Sequence, residues 1–300
     1  MWAQASSNKM KIDLHVHSKC SDGRMTLEEI FAEASRRDID LISITDHDSI
    51  DCQEPAKILA DRYGIHYLYG LELNISFAHP QYGNSKPISL DLLGYQYDIH
   101  YQPLVQELIQ LRDFRKVRAE RILEKINQEF VSEGLKEFTP KDLEEIQSTV
   151  DGAFGRPHIA SYMVKTGIVK NIREAFDRYL VRCNVPKMPL SLSKASELVK
   201  GAGGKLILAH PADPNGTSLI SLTTSIHEQQ EIIKETMLLY IDGVECWHTR
   251  HEPNVTAAYL SFADEMGLMV SGGSDCHQSP IIMGTVDVPK YVAKRFGLDI

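Results

Sequence analysis

Short runs of β-branched and aliphatic residues alternate along most of the chain with stretches whose apolar positions recur every three or four residues. The runs read as strands and the longer-period stretches as helices. Lys11–His17, Leu41–Thr45, Tyr67–Ser76 and Ile88–Tyr95 are the strands predicted in the first third. A helix is expected from Thr26, because Thr26 and Glu29 stand at capping-box spacing. Another is expected over Cys52–Tyr63, stopping at Gly64, where a left-handed cap costs little.

The rhythm breaks near residue 98. Gln102–Phe130 carries one long helical period through Leu104, Leu108, Leu111, Val117, Ile122, Ile126 and Phe130. Helices are predicted after Thr139-Pro140, from Pro157 to near Gly167, and over Ile172–Leu180, with no strand among them. Alternation then resumes. Helices are expected over Lys194–Gly201, Glu228–Leu239 and Asn254–Met266, and strands over Lys205–Ala209, Gly243–Trp247 and Leu268–Ser271. Such alternation implies parallel βα units. The organisation predicted is an α/β barrel formed by residues 10–98 and 191–300, interrupted by a helical insertion, 99–190, that caps it. Residues 1–9 are read as a disordered polar leader.

Composition narrows the function classes. Asp and Glu number 41 against 32 Lys and Arg, a formal charge of −9. That balance is unfavourable for gripping duplex DNA, where phosphate neutralisation supplies most of the affinity. It does not exclude a small anion, because divalent cations invert the field of a carboxylate pocket. No apolar run is long enough to span a membrane. The five cysteines are scattered and odd in number, which argues against a disulfide framework and for a cytoplasmic location.

The predicted strands end in metal-ligating residue types. His15 and His17 close the first, with Asp22 in the next loop; Asp46, His47 and Asp48 close the second. Glu72 and Asp91 lie in the third and fourth, His210 follows Ala209, His248 and His251 follow Trp247, and Asp275 and His277 follow Ser271. Residues two apart in a strand share a face, so His15 and His17 can hold one ion. In a βα barrel the carboxyl ends of all strands open onto one surface. Burying so many imidazoles and carboxylates unpaired is costly, and bound metal removes the cost. Imidazole and carboxylate without thiolate suit Zn²⁺, Mn²⁺ or Fe²⁺.

Five segments in order, Asp13-Leu14-His15-Val16-His17-Ser18 with Ser21-Asp22-Gly23, Ile44-Thr45-Asp46-His47-Asp48, Gly70-Leu71-Glu72, Leu208-Ala209-His210-Pro211 and Gly272-Gly273-Ser274-Asp275-Cys276-His277, resemble the PHP (polymerase and histidinol phosphatase) family. The resemblance implies a distorted seven-stranded barrel and a cluster of two to three divalent ions (Mn, Zn or Fe). It places one ion on His15, His17, Glu72 and Asp275, a second on Glu72 and His210, and a third on Asp22, His47 and His277. Asp46 is implied to orient His47. Family members usually carry a histidine where Asp91 stands, so Asp91 is the expected substitute ligand and nearby His79 the alternative.

Gly155-Arg156-Pro157-His158-Ile159-Ala160, with Glu174-Ala175-Phe176 and Tyr179-Leu180, resembles the branch acting on nucleoside 3′,5′-bisphosphates or on the 5′ end of short RNA. Arg156 offers a fork that fits phosphate oxygens, and His158 is expected beside it as a substrate contact. His251 is expected at the scissile phosphate, and Arg156, His251 and Asp46 are the catalytic residues predicted. The implied reaction is hydrolysis by a metal-bridging hydroxide, with a small phosphorylated substrate, a nucleotide or short single-stranded RNA as partner, and neither duplex DNA nor membrane. A histidinol-phosphate-type phosphatase and a non-catalytic metal-binding barrel are the alternatives. Arg112, Arg115, Arg118 and Arg121 read as a solvated helix face paired with Asp113, Glu120 and Glu124.

Overall fold

Strand β1 (Ile12–Val16) is buried from end to end, as a strand covered on both faces must be. The computed structural model describes residues 10–149, 155–186 and 188–298, so the predicted leader lies outside the described residues. Helix α1 (Leu27–Arg36) starts on the expected capping box: Glu29 N donates to the Thr26 hydroxyl and the Glu29 carboxylate accepts from Thr26 N. Strand β2 (Leu41–Ile44) lies parallel to β1 and leads into helix α2 (Gln53–Tyr63). That helix ends on Gly64 at φ 68°, a backbone region that glycine enters without strain. Strand β3 (His66–Tyr67) pairs parallel to β2.

Strands β4 (Gly70–Phe77) and β5 (Ile88–Tyr95) form an antiparallel pair in which Asn74 faces Asp91. The chain then leaves the sheets along α3 (Gln102–Glu133), which at 1.5 Å per residue is about 48 Å long. Its first half buries Leu104, Leu108 and Leu111 against the strands. Its second half buries Ala119, Ile122, Ile126 and Phe130 in a separate core, with Ile146, Ile159, Met163 and Tyr179. That core is completed by α4 (Pro140–Gln147), α5 (Arg156–Lys165), α6 (Ile172–Ala175) and the wide-turned segment Phe176–Leu180. Residues 112–118 of α3 bridge the two cores, so they hang over the ends of the strands.

After α7 (Leu192–Gly201), strand β6 (Lys205–Leu208) returns antiparallel to β5. Strands β7 (Gly243–His248) and β8 (Met269–Gly273) continue in parallel, separated by helices α8 (Ile226–Thr236) and α9 (Pro253–Met266), with α10 (Tyr291–Arg295) last. The eight strands form two sheets, β1-β2-β3 and β4-β5-β6-β7-β8, in place of the seven-stranded barrel expected. No closed barrel forms among the described residues. The ten residues between β4 and β5 are too few for a helical crossover, so the chain doubles back instead. Two isolated parallel bridges, Val16 with Cys276 and His47 with Glu72, join the sheets.

Cys20 and Cys52 form a disulfide, their Cα atoms 6.2 Å apart, a single link in a chain for which no disulfide framework was expected. Cys183, Cys246 and Cys276 are free and buried. No helix among the described residues is long and apolar enough to cross a membrane.

Candidate metal centre

The seams between the two sheets gather the polar strand ends. The His47–Glu72 bridge sets two of them side by side, and the Val16–Cys276 bridge brings the Asp275–His277 loop over β1. Glu72 lies at the middle: Oε1 is 3.5 Å from His15 Nε2 and 3.2 Å from His210 Nε2, while Oε2 is 3.2 Å from His17 Nε2 and 3.0 Å from His47 Nδ1. Asp275 Oδ1 stands 3.5 Å from His15 Nε2 and 3.3 Å from His17 Nε2. Asp22 meets His277 Nε2 at 3.1 Å and His47 Nε2 at 3.7 Å. Asp91 completes a group with His47 and Glu72. His210 and Asp275 hold their positions with φ of 26° and 54°, a backbone cost typical of functional sites.

These residues suit divalent cations. His15 Nε2, His17 Nε2, Glu72 Oε2, His210 Nδ1 and His248 Nε2 are all buried without a hydrogen-bond partner. Unsatisfied atoms of this kind are rare in proteins and point to an ion. Ligands about 2.0–2.2 Å from one tetrahedral metal lie about 3.4 Å from one another, the spacing seen around Glu72 and Asp275. The field has the required sign as well. Burial alone would push His47 down, but the charges of Glu72 and Asp22 outweigh it and raise it to about 10. His210 and His277 are raised to about 9 against the same burial, chiefly by Glu72 and by Asp22 respectively. Asp22 lies well below the ordinary carboxylate range despite burial, because His277 and His47 face it. The cage therefore favours positive charge inside it.

Two supporting carboxylates, Glu245 and Asp13, had no role in the sequence reading, although Asp13 opens the first motif. Glu245, fully buried in β7, contacts His15 Nδ1 at 3.1 Å through Oε1 and accepts from His210 N at 2.8 Å through Oε2. A carboxylate inside the apolar run Gly-Val-Glu-Cys-Trp was the available signal, since a buried charge needs a partner. Asp13 accepts from Ser274 N, Ser274 Oγ and Gly284 N, pinning the Asp275 loop to β1. Outer partners that orient a metal-binding histidine typically contribute 10- to 100-fold in metal affinity. Glu245→Gln is therefore expected to lower metal retention by about that factor while the chain stays folded. Metal content after dialysis against graded chelator checks this, and undiminished retention would refute it.

Asp46 has another task than the one expected. Its carboxylate accepts from Ser18 N, Ser18 Oγ and Ser21 Oγ, shaping the loop that carries Asp22, and His47 turns to Glu72 instead. His79 lies away from the cluster, with its Nδ1 accepting from Gln81 N and its Nε2 3.5 Å from Glu235. Asp91 Oδ1 accepts from Asn74 Nδ2 at 2.5 Å, and its other oxygen accepts from the Thr217 hydroxyl.

A cavity of about 430 Å³ opens above the cluster, with Asp22, His47, Glu72, Asp91, His210 and Asp275 on one wall. Arginines form the other. Arg118 is 4% exposed; its Nε donates to Val185 O and its Nη2 to Asn184 Oδ1. Burial, and then the charges of Arg156 and Arg115, push it down to about 10. Arg156 donates Nη1 to Leu180 O and lies 5.5 Å from the Phe176 ring centre. Arg115 pairs with Asp48, and Arg250 Nη1 donates to Asp213 Oδ2 at 2.6 Å. The solvated stripe expected on α3 is thus corrected: Arg115 and Arg118 face the cavity because α3 spans from one core to the other.

Neither histidine expected at the substrate reaches this cavity. His251 packs against Tyr259 with Nδ1 at the Cys246 carbonyl, and burial lowers it to about 4. Arg250, its neighbour, lines the wall instead. His158 caps α5 by accepting from Gly155 N and hydrogen bonds to the Ser21 backbone, clipping the helical cap to the Asp22 loop.

The sequence pattern of the PHP domain matches residues 13–184. A 3′,5′-nucleoside bisphosphate phosphatase of Chromobacterium violaceum is 29% identical over 279 residues, covering 89% of this chain and 87% of its own length. The 5′-3′ exoribonuclease Rnm of Escherichia coli is 26% identical over 272 residues, covering 89% of this chain and 85% of its own. Among solved structures, a protein described as a metal-dependent phosphoesterase of Bifidobacterium adolescentis matches with a TM-score of 0.78 at 25% identity, over 95% of both chains. An amidohydrolase of Chromobacterium violaceum with bound sulfate and no metal matches with a TM-score of 0.77, also at 25% identity and 95% of both chains.

Proposed function

The chain belongs to the PHP domain family of metal-dependent phosphoesterases, and from that premise we propose that it removes phosphate from a small nucleotide of the nucleoside 3′,5′-bisphosphate kind or acts at the 5′ end of short RNA. The observation that carries this reading is the opposition of a histidine–carboxylate cage and four guanidinium groups across one cavity of about 430 Å³. A volume in that range suits a ligand of nucleotide size. Two charged centres on the substrate account for the second set of cations better than one does. The names of the relatives from Chromobacterium violaceum and Escherichia coli support the same substrate class.

Within this reading the cage residues His15, His17, Asp22, His47, Glu72, Asp91, His210, Asp275 and His277 hold two to three divalent ions. Bound there, the ions lower the pKa of water and neutralise charge on the phosphoryl oxygens. Asp91 supplies carboxylate where imidazole would suit zinc, which tilts the set towards Mn²⁺. Arg156 and Arg118, already fixed by carbonyls and by Phe176, present their remaining N–H groups to the phosphate without reorganising. Asp213 fixes Arg250 at the opposite edge. The cap contributes Arg115 and Arg118 from α3 and Arg156 and Pro157 from α5 to the wall that faces the cage.

The test is phosphate release from adenosine 3′,5′-bisphosphate by Mn²⁺-loaded and chelator-treated protein, with histidinol phosphate and p-nitrophenyl phosphate alongside. Metal-dependent release that prefers the bisphosphate is expected. A preference for histidinol phosphate, or no release from the bisphosphate by protein that retains metal, overturns the proposal.

A further inference from the structure

Asp48 stands one residue after the cage histidine His47 and is only 5% exposed. Its backbone is locked to the hub of the cage: Asp48 N donates to Glu72 O at 2.8 Å. The residue is held at φ 46°, a left-handed conformation that few residues with a Cβ adopt. Both oxygens of its side chain are engaged. Oδ1 accepts from Asn74 N of β4 at 3.2 Å, and Oδ2 accepts from Arg115 Nη2 of α3. Leu111 and Phe114 of α3 lie beside this pair.

Arg115 needs such a partner to stay where it is. Arg115, Arg118 and Arg156 line one wall of the cavity above the cage, and the charges of Arg156 and Arg115 press on Arg118. Like charges so close drive a mobile side chain toward water unless a counter-charge holds it. The side chains of Arg115 and Asp48 are 12% and 4% exposed, so their attraction is screened less than a surface pair's. One turn away α3 meets the same loop again, through Arg112 Nη1 and Asp51 Oδ2 at 3.0 Å. That second pair is exposed and contributes little.

We propose that Asp48 is a positioning residue: it aims Arg115 of the cap into the cavity and sets that aim relative to the cage. The carboxylate that holds the guanidinium belongs to the loop that carries His47 and is tied through its own backbone to Glu72. A group contributed by the helical insertion is thereby registered to the ligands contributed by the strands. A guanidinium has five N–H donors, so holding it by one carboxylate oxygen does not exhaust it. An arginine fixed before the phosphate arrives need not be ordered on binding, which preserves affinity. This rests on the phosphoesterase reading above for the ligand and adds a residue that acts on it only through another.

Asp48→Asn, Arg115→Met and the double variant form a cycle, read by calorimetric titration of the Mn²⁺-loaded proteins with inorganic phosphate. KM and kcat for adenosine 3′,5′-bisphosphate, metal content and circular dichroism are measured on the same samples. Asp48→Asn is expected to weaken phosphate binding and raise KM roughly 10-fold, the loss of one charge-assisted contact, with kcat within about 2-fold of the parent. Metal content stays at the parent level. The double variant is expected to match Arg115→Met, because a residue that acts through Arg115 has nothing left to aim. It also leaves no buried charge unpaired, so the comparison survives if Asp48→Asn alone fails to fold. Asp51→Asn should leave every readout unchanged. Parent-like phosphate affinity in Asp48→Asn overturns the proposal, as does a further loss in the double variant beyond Arg115→Met. Loss of metal and kcat together in Asp48→Asn overturns it too, by assigning Asp48 to the support of His47. Failure of the parent protein to hydrolyse the bisphosphate counts instead against the function proposed above, while the phosphate titrations still decide the role of Asp48.

Discussion

Glu72→Gln is expected to strip the protein of metal and to lower kcat/KM for phosphate release by more than about 100-fold, the upper end of what losing a mere outer partner does. The substitution changes almost nothing in volume. It removes the one negative charge that lies within 3.5 Å of four imidazoles, those of His15, His17, His47 and His210. That carboxylate is held well below its ordinary range, against full burial, chiefly by His47 and His15. With an uncharged amide in its place, the field that raises His47 and His210 weakens, and cations lose their central ligand. Metal content by elemental analysis, circular dichroism and steady-state kinetics should be read on the same sample. A folded variant that keeps its full complement of metal and its activity would show that Glu72 is not the hub of the site.

Arg156→Ala is the second large effect expected, a fall of about 10²- to 10³-fold in kcat/KM, the range for removing one preorganised donor to developing charge. Metal content should not change, because Arg156 contacts none of the cage residues. Its guanidinium is fixed by Leu180 O and by the Phe176 ring, and burial lowers its pKa. Lysine at this position keeps the charge and loses the planar fork, so Arg156→Lys should recover only part of the activity. A variant that loses metal and activity together would mean that Arg156 supports the cage rather than the substrate. Equal activity in all three proteins would leave it without a role in hydrolysis.

Much of the fold was legible because its signals are local. The Thr26–Glu29 box, the Gly64 stop and the long period of α3 each depend on residues a few positions apart, and each has the structure its spacing implies. The direction of β5 was not legible. Its apolar run would serve a parallel strand equally well, and only the short connection from β4 decides otherwise. Helix α10 also escaped the sequence reading, being five residues long and lacking a capping side chain. In the site, residue type announced the ligating groups, but their working partners were hidden. His251 and Arg250 are adjacent polar residues after the same strand, and which of them enters the cavity depends on the turn that follows β7.

By itself the sequence determined most of the elements, the polar endings of the strands and the chemical type of each side chain offered at them. Tertiary structure alone decided the two-sheet arrangement, the pairing of His15 with Glu245 across 230 positions, the Cys20–Cys52 link and the placing of Arg115 and Arg118 over the cage. The reason is physical. Periodicity and capping report the balance of burial and hydrogen bonding within one or two turns, and that balance is already set by near neighbours. A site is made by convergence, and convergence depends on strand order and on where a long helix crosses from one core to the next.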